Sequence, residues 1–272
     1  MVELERRAEL LRLAQVLRVE PGELRMLEGA DPADLRALRR QVWDALLERH
    51  RPTFERAATL AQMLPASMAA KIAQTAMGPA LAARAAALLE PEQAGELARR
   101  LPPAFLADIA EHIDPWRVGA LLDSLEPATL AATALELRRR ERWVVMGSFV
   151  GHLPEHALRP VVDTFDGETM LRIGLTAERT DRLDRLVALL PDPRLDEMLD
   201  AAHRLELWSE AIWLVSHLGP EQGARIVAAV ERSRADVIDR LAAVLSTRAE
   251  LRVAAMPLIE RAPRHLRELI GA

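Results

Sequence analysis

His152, Glu155 and His156 stand in the order H-x-x-E-H. Two imidazoles and a carboxylate at that spacing can hold zinc when one continuous helix carries both histidines on a single face. Pro154 falls inside the run, and proline is tolerated at the first turn of a helix because its missing N–H needs no partner there. His152 is therefore expected ahead of a helix and His156 within its first turns, a cap with two surface histidines. Asp196, Asp200 and His203 lie at i, i+4 and i+7 of RLDEMLDAAHRL, on one helical face. A carboxylate and a histidine three apart can share a metal if other helices complete the shell. No second such motif occurs, and a solvated polar face is the plainer reading. Asp108 and His112, at i and i+4, read as a surface charge pair.

The densest basic run is Arg138-Arg139-Arg140-Glu141-Arg142-Trp143. Its guanidiniums could hold an anion, a phosphate or an acidic partner. The alternative is a solvated helix surface with Trp143 turned into the core. Trp116 and Arg117 form a second candidate partner face, because Trp and Arg anchor many interfaces. Trp208 and Trp213, with Met198, read as core of the C-terminal half, although such side chains also line apolar ligand pockets. Nothing resembles a glycine-rich phosphate loop, a nucleophile elbow or a serine triad. Cysteine is absent, which removes thiolate zinc sites, cysteine nucleophiles and disulfides. No catalytic or metal-ligating set is assigned.

The elements that must position these residues follow a beat. Prolines 91, 103, 115 and 127 fall twelve residues apart. Cut at that period, residues 89–136 give LEPEQAGELARR, LPPAFLADIAEH, IDPWRVGALLDS and LEPATLAATALE. The sixth, ninth, tenth and thirteenth positions make one apolar helical face. Each proline starts a short helix and pushes the residue before it out of the α region, ending the previous one. The seventh position is always small, which lets neighbouring helix backbones approach closely. Trp116 occupies the fourth position, off the apolar stripe, where the sister repeats have Glu92, Ala104 and Ala128. Weaker copies of the beat run upstream to residue 64 and downstream to about 175, and LGPEQGARIVAAV at 218–230 echoes it. Helices of about eight residues are not stable alone, so their faces must be buried by neighbours. Residues 3–18 and 32–49 suggest two longer charged helices, and the chain ends in a short helical cap, PRHLRELIGA.

Half of the 272 residues are apolar, 3% are aromatic, and the net charge is −5. An acidic chain of this kind lacks the basic face of a nucleic-acid-binding protein. The start of the chain has no signal-peptide pattern, and the longest apolar stretch, WVVMGSFVGHL, is too short to span a bilayer. A soluble, cytoplasmic protein without a transmembrane segment is expected.

The repeats carried by Leu89-Glu90-Pro91-Glu92, Leu101-Pro102-Pro103, Ile113-Asp114-Pro115 and Leu125-Glu126-Pro127 resemble the N-terminal cytosolic domain of MgtE-type magnesium transporters. More weakly, they resemble the helical middle region of the flagellar motor-switch protein FliG. The resemblance implies a right-handed superhelix of short helices, in a domain that senses magnesium together with a CBS pair and regulates a pore. This chain shows neither a membrane domain nor a CBS pair, so only the fold and the idea of a regulatory module carry over, with no ligand residue.

The reading is an all-α superhelix in three parts: charged helices over 1–52, short-helix repeats over 53–176, and further helical repeats over 177–272. The function expected is that of a non-enzymatic protein-interaction or regulatory module. Its partner face is sought at Trp116, Arg117, Arg138, Arg139, Arg140 and Arg142. The alternatives are a protein responsive to a small molecule or a divalent cation such as magnesium, and an all-α enzyme. The first fifty residues either pack on the repeats or join two copies of the chain.

Overall fold

A computed structural model describes residues 2–270. Among them the chain forms nineteen α-helices, short 3-10 and π segments, and no strand. The fold is all-α. No helix among the described residues is long and apolar enough to cross a membrane. The contacts divide the chain into two compact units, Val2–Val161 and the residues from Val162 onward.

In the first unit, α1 (Val2–Leu17) packs along α2 (Pro32–Arg49). Pro32 opens α2, and the Asp31 carboxylate caps it by accepting from the Ala33 N–H. Leu13, Ala14, Leu24 and Leu35 close one apolar cluster between these helices. Trp43, Leu47 and Phe54 form another, which joins α2 and α3 (Arg51–Met63) to Ala87 and Leu88. The first fifty residues therefore share a core with the start of the repeats.

The proline beat sets the next helices. α4 (Ala66–Ile72) follows Pro65 and continues as a π segment to Met77. Gly78, at φ +71°, makes the bend into α5 (Gly78–Ala86), where a side chain would be strained. α6 (Pro91–Ala98), α7 (Pro103–Ala110) and α9 (Pro127–Arg139) each begin on their proline. The residues before them, Glu90, Pro102 and Glu126, are extended, as a following proline demands.

The third repeat departs from the pattern. Pro115–Arg117 is a 3-10 turn, and a helix resumes only at α8 (Gly119–Ser124). Asp114 caps this turn: its Oδ1 accepts from the Trp116 N–H at 3.1 Å while its Oδ2 faces the Arg39 guanidinium at 3.5 Å. α3 packs on α5, α4 on α6, α5 on α7, α6 on α8 and α7 on α9, so alternate helices are neighbours throughout. Gly95 permits one such approach, since a Cβ there would lie 2.8 Å from the Ser124 carbonyl oxygen; at Gly119 the same position is open space. α10 (Trp143–Val150) packs on α9 and α1. α11 (Glu155–Thr164) contains the division between the units.

In the second unit, α12 (Gly167–Leu175), α14 (Asp192–Arg204), α16 (Pro220–Arg232) and α18 (Ala249–Ile259) again pack in alternating order. α13 (Leu183–Leu189) lies on α16, α15 (Trp208–Val215) on α18, and α17 (Ala235–Thr247) on α18 and α19 (Arg264–Ile270). The α16 proline is that of the echo at 218–230. Ile212, Leu245, Leu251 and Ile259 centre the core here. Met1 and the last two residues of the expected C-terminal cap, Gly271 and Ala272, lie outside the described residues.

Three helices end on a non-glycine residue in the left-handed region: Arg18 after α1, Glu141 after α9 and Glu206 after α14. Each ending is closed by a backbone bond from the following residue, such as Val19 N–H to the Ala14 carbonyl at 3.1 Å.

Candidate functional site

A charged cluster lies at the junction of α1, α2 and the third repeat. The Glu9 side chain is fully buried, and Arg12, Arg39 and Asp114 are nearly so. Glu9 Oε1 accepts from Arg12 Nη1 at 2.8 Å and from Arg36 Nε at 3.2 Å, while its Oε2 accepts from Arg39 Nε at 3.3 Å. Arg39 then reaches Asp114. A buried carboxylate is tolerated only when charge and hydrogen bonds compensate its lost hydration, and three guanidiniums do so here.

Above this cluster opens a cavity of about 50 Å³, with Arg12, Arg18, Arg39 and Arg84 in its walls. Burial, and then the neighbouring charge of Arg18, push the Arg84 guanidinium below its ordinary value. A larger cleft of about 470 Å³ adjoins it, lined among others by Glu20, Glu141, Arg142 and Trp143. Gln15, Arg18, Glu111 and His112 border both spaces. Two of the three left-handed helix ends, Arg18 and Glu141, therefore stand on this cleft.

Trp116 lies outside the cleft, on the surface of the same unit, and keeps 44% of its area exposed. The Arg40 guanidinium sits 4.0 Å over its ring, and His152 meets it edge-on at 5.1 Å. Arg117 is tied to Asp44 in an ion pair and lies 5.6 Å over Trp43. The 3-10 turn thus fastens Trp116 and Arg117 onto α2.

The arginine run separates into distinct roles. Arg139 bonds Glu136 from the surface. Arg140 clips α9 to α7 through Asp108 and the Ala104 carbonyl, and also takes Glu136. The hydrogen bond to Asp108 raises the Arg140 guanidinium. The bonds from Arg139 and then Arg140 hold the Glu136 carboxyl down at about 2. Arg142 bonds Glu111 at 3.1 Å and lines the larger cleft, with Trp143 beside it and partly buried. Arg138 belongs to the last turn of α9.

The metal-like spacings resolve differently. His152 precedes α11 and His156 lies in its first turn, so no single helix carries both. Asp196 pairs with Arg232, Asp200 with Arg234, and His203 with Asp236, which disperses that set over neighbouring helices. His112 does not pair with the Asp108 carboxylate: its Nδ1 lies 2.8 Å from the Asp108 backbone carbonyl, because Arg140 takes the carboxylate. No three His, Asp or Glu side chains gather as a metal shell among the described residues.

In the second unit, Trp208 and Trp213 are core, and Trp208 with Leu199, Ile226, Leu245, Ile259 and Leu266 borders an apolar cavity of about 90 Å³.

The cluster at Glu9, Arg12 and Arg39 and the pair Arg18 and Arg84 are absent from the sequence reading. One signal exists for the first. The buried face of α2 runs Leu35, Arg39, Trp43, Leu47, so a charged residue occupies an apolar-stripe position. No family model, curated protein or solved structure matches the chain.

Proposed function

We propose that the chain is a non-enzymatic helical-repeat module of the cytoplasm that binds a protein partner and regulates it. The observation that carries this reading is Trp116: a large aromatic side chain left 44% exposed, yet held by Arg40 and His152. A rigid aromatic anchor loses little freedom on association, which is what an interface centre requires. Elsewhere in the same unit, Leu60 and Met63 on α3 and Met68 on α4 are exposed apolar side chains of the adaptable kind. The alternate-helix packing in each unit supports a right-handed superhelix like that of the MgtE N-terminal domain, whose faces suit partners.

The test is a photo-crosslinking amino acid placed at position 116 of the full chain in its native host. A control carries it at Val253, which is 71% exposed. One dominant adduct at 116 that is absent at 253 and weakened by Arg40→Ala is expected. The same adducts at both positions, or none, would overturn the reading. The second reading, a small-molecule-responsive protein, is favoured by the apolar cavity beside Trp208. Its test is a shift in thermal unfolding with apolar ligands that Leu245→Trp, by filling the space, removes.

A further inference from the structure

We propose that the first unit binds a small phosphomonoester, with the oxyanion seated between Arg18 and Arg84 and the rest of the molecule in the cleft beside His112 and Trp143. The case begins with charge. Of the four arginines around the smaller cavity, Arg12 and Arg39 are committed to Glu9, and Arg39 also to Asp114. The carboxylates in the walls are committed as well, Asp114 to Arg39 and Glu111 to Arg142 and Arg140. Arg18 and Arg84 remain. Among the described residues no carboxylate bonds to either, and the Arg84 guanidinium lies 5.8 Å over the Phe54 ring. Two positive charges thus face one cavity, and burial, then the charge of Arg18, disfavour the Arg84 guanidinium. An oxyanion between them removes that repulsion and gains charge-assisted hydrogen bonds.

Size and shape agree. A space of about 50 Å³ holds roughly three to five water-sized groups, which is the scale of a tetrahedral phosphate. Two guanidiniums match its charge of about −2 near neutral pH. The adjoining cleft of about 470 Å³ lies within the range of about 300–1,000 Å³ usual for small-molecule pockets. Because Gln15, Arg18, Glu111 and His112 border both spaces, one molecule can occupy both.

The experiment is calorimetric titration of the full chain at constant ionic strength. The probes are inorganic phosphate, glycerol 3-phosphate, glucose 6-phosphate and adenosine 5′-monophosphate, with sodium chloride as reference. Phosphate should bind where chloride does not, and at least one monoester should bind more tightly than phosphate. Arg84→Met and Arg18→Asn should each weaken phosphate binding by about tenfold to a hundredfold. Arg99→Ala, which removes an exposed pair with Glu126, should leave it unchanged. Without ligand, Arg84→Met should melt no lower than the wild type, since it relieves repulsion. If that variant fails to fold, Arg18→Asn decides, because residue 18 is exposed and asparagine tolerates the left-handed region. No phosphate binding above the chloride reference overturns the proposal, and so does binding that survives both substitutions. Monoesters no tighter than phosphate overturn the placement of a ligand body in the larger cleft.

Discussion

Replacing Glu9 with glutamine should destabilise the first unit by about 3–5 kcal/mol, the cost of breaking a buried ion pair by removing one partner. Glutamine keeps the shape and one carbonyl acceptor, so Arg12 and Arg36 can retain weakened bonds at the Oε1 position. The other oxygen becomes an NH₂ donor pointed at the Arg39 Nε, which is itself a donor. Arg12 and Arg39 stay buried and lose the negative charge that faced them. For a unit of this length the loss corresponds to a melting point lower by roughly 6–20 °C. Hydrogen exchange with mass spectrometry on the full chain is the assay, because peptides from α1 and α2 report the first unit directly. Arg39→Met combined with the glutamine should cost less than the sum of the single changes by about 0.5–3 kcal/mol, since the two groups share one network. A glutamine variant within about 1 kcal/mol of wild type, the scale of an exposed pair, would refute the reasoning. Strict additivity of the two substitutions would do the same.

Three further outcomes follow from local geometry. Gly167→Ala should destabilise the second unit by about 1–3 kcal/mol in denaturant unfolding, because its Cβ would fall 2.6 Å from the Glu197 carbonyl carbon on α14. Glu206→Gly should stabilise it by about 1 kcal/mol in the same assay, relieving a left-handed residue at φ 54°. Glu136 is held near 2 against an ordinary value of 4.5. Its contribution should be complete above pH 4.5 and fade as the pH falls from 4.5 through about 2, so the stability gap between wild type and Glu136→Gln should shrink over that window.

The legible part of this fold is the part written in backbone chemistry. A proline acts on its own residue and the one before it, so Pro91, Pro103 and Pro127 reveal their helix starts without knowledge of any neighbour. The two longer charged helices over 3–18 and 32–49 are found as Val2–Leu17 and Pro32–Arg49, the second opening on Pro32. Pro115 shows where that logic stops. It carries the same local instruction as its sisters, yet the segment is a 3-10 turn, and its Asp114 meets Arg39, 75 residues earlier. That long-range charge contact is one that no reading of a twelve-residue window contains.

Asp114 joins the buried cluster through Arg39, and the same turn sets Trp116 against Arg40 and His152. Trp116 was legible as an odd residue in its slot, although the cause of its exposure was not. The arginine run is sorted by its contacts. Charge density along a chain says little about which guanidiniums already have carboxylates, and Arg140 is consumed by Asp108 and Glu136 on folding. Arg18, just past the end of α1, and Arg84, within α5, are far apart in sequence, and both face the cavity with no carboxylate bonded to them among the described residues. A net-negative chain can therefore still present a positive pocket. Folding sorts charges by partner, and what remains after the pairing sets which ligand the pocket can take.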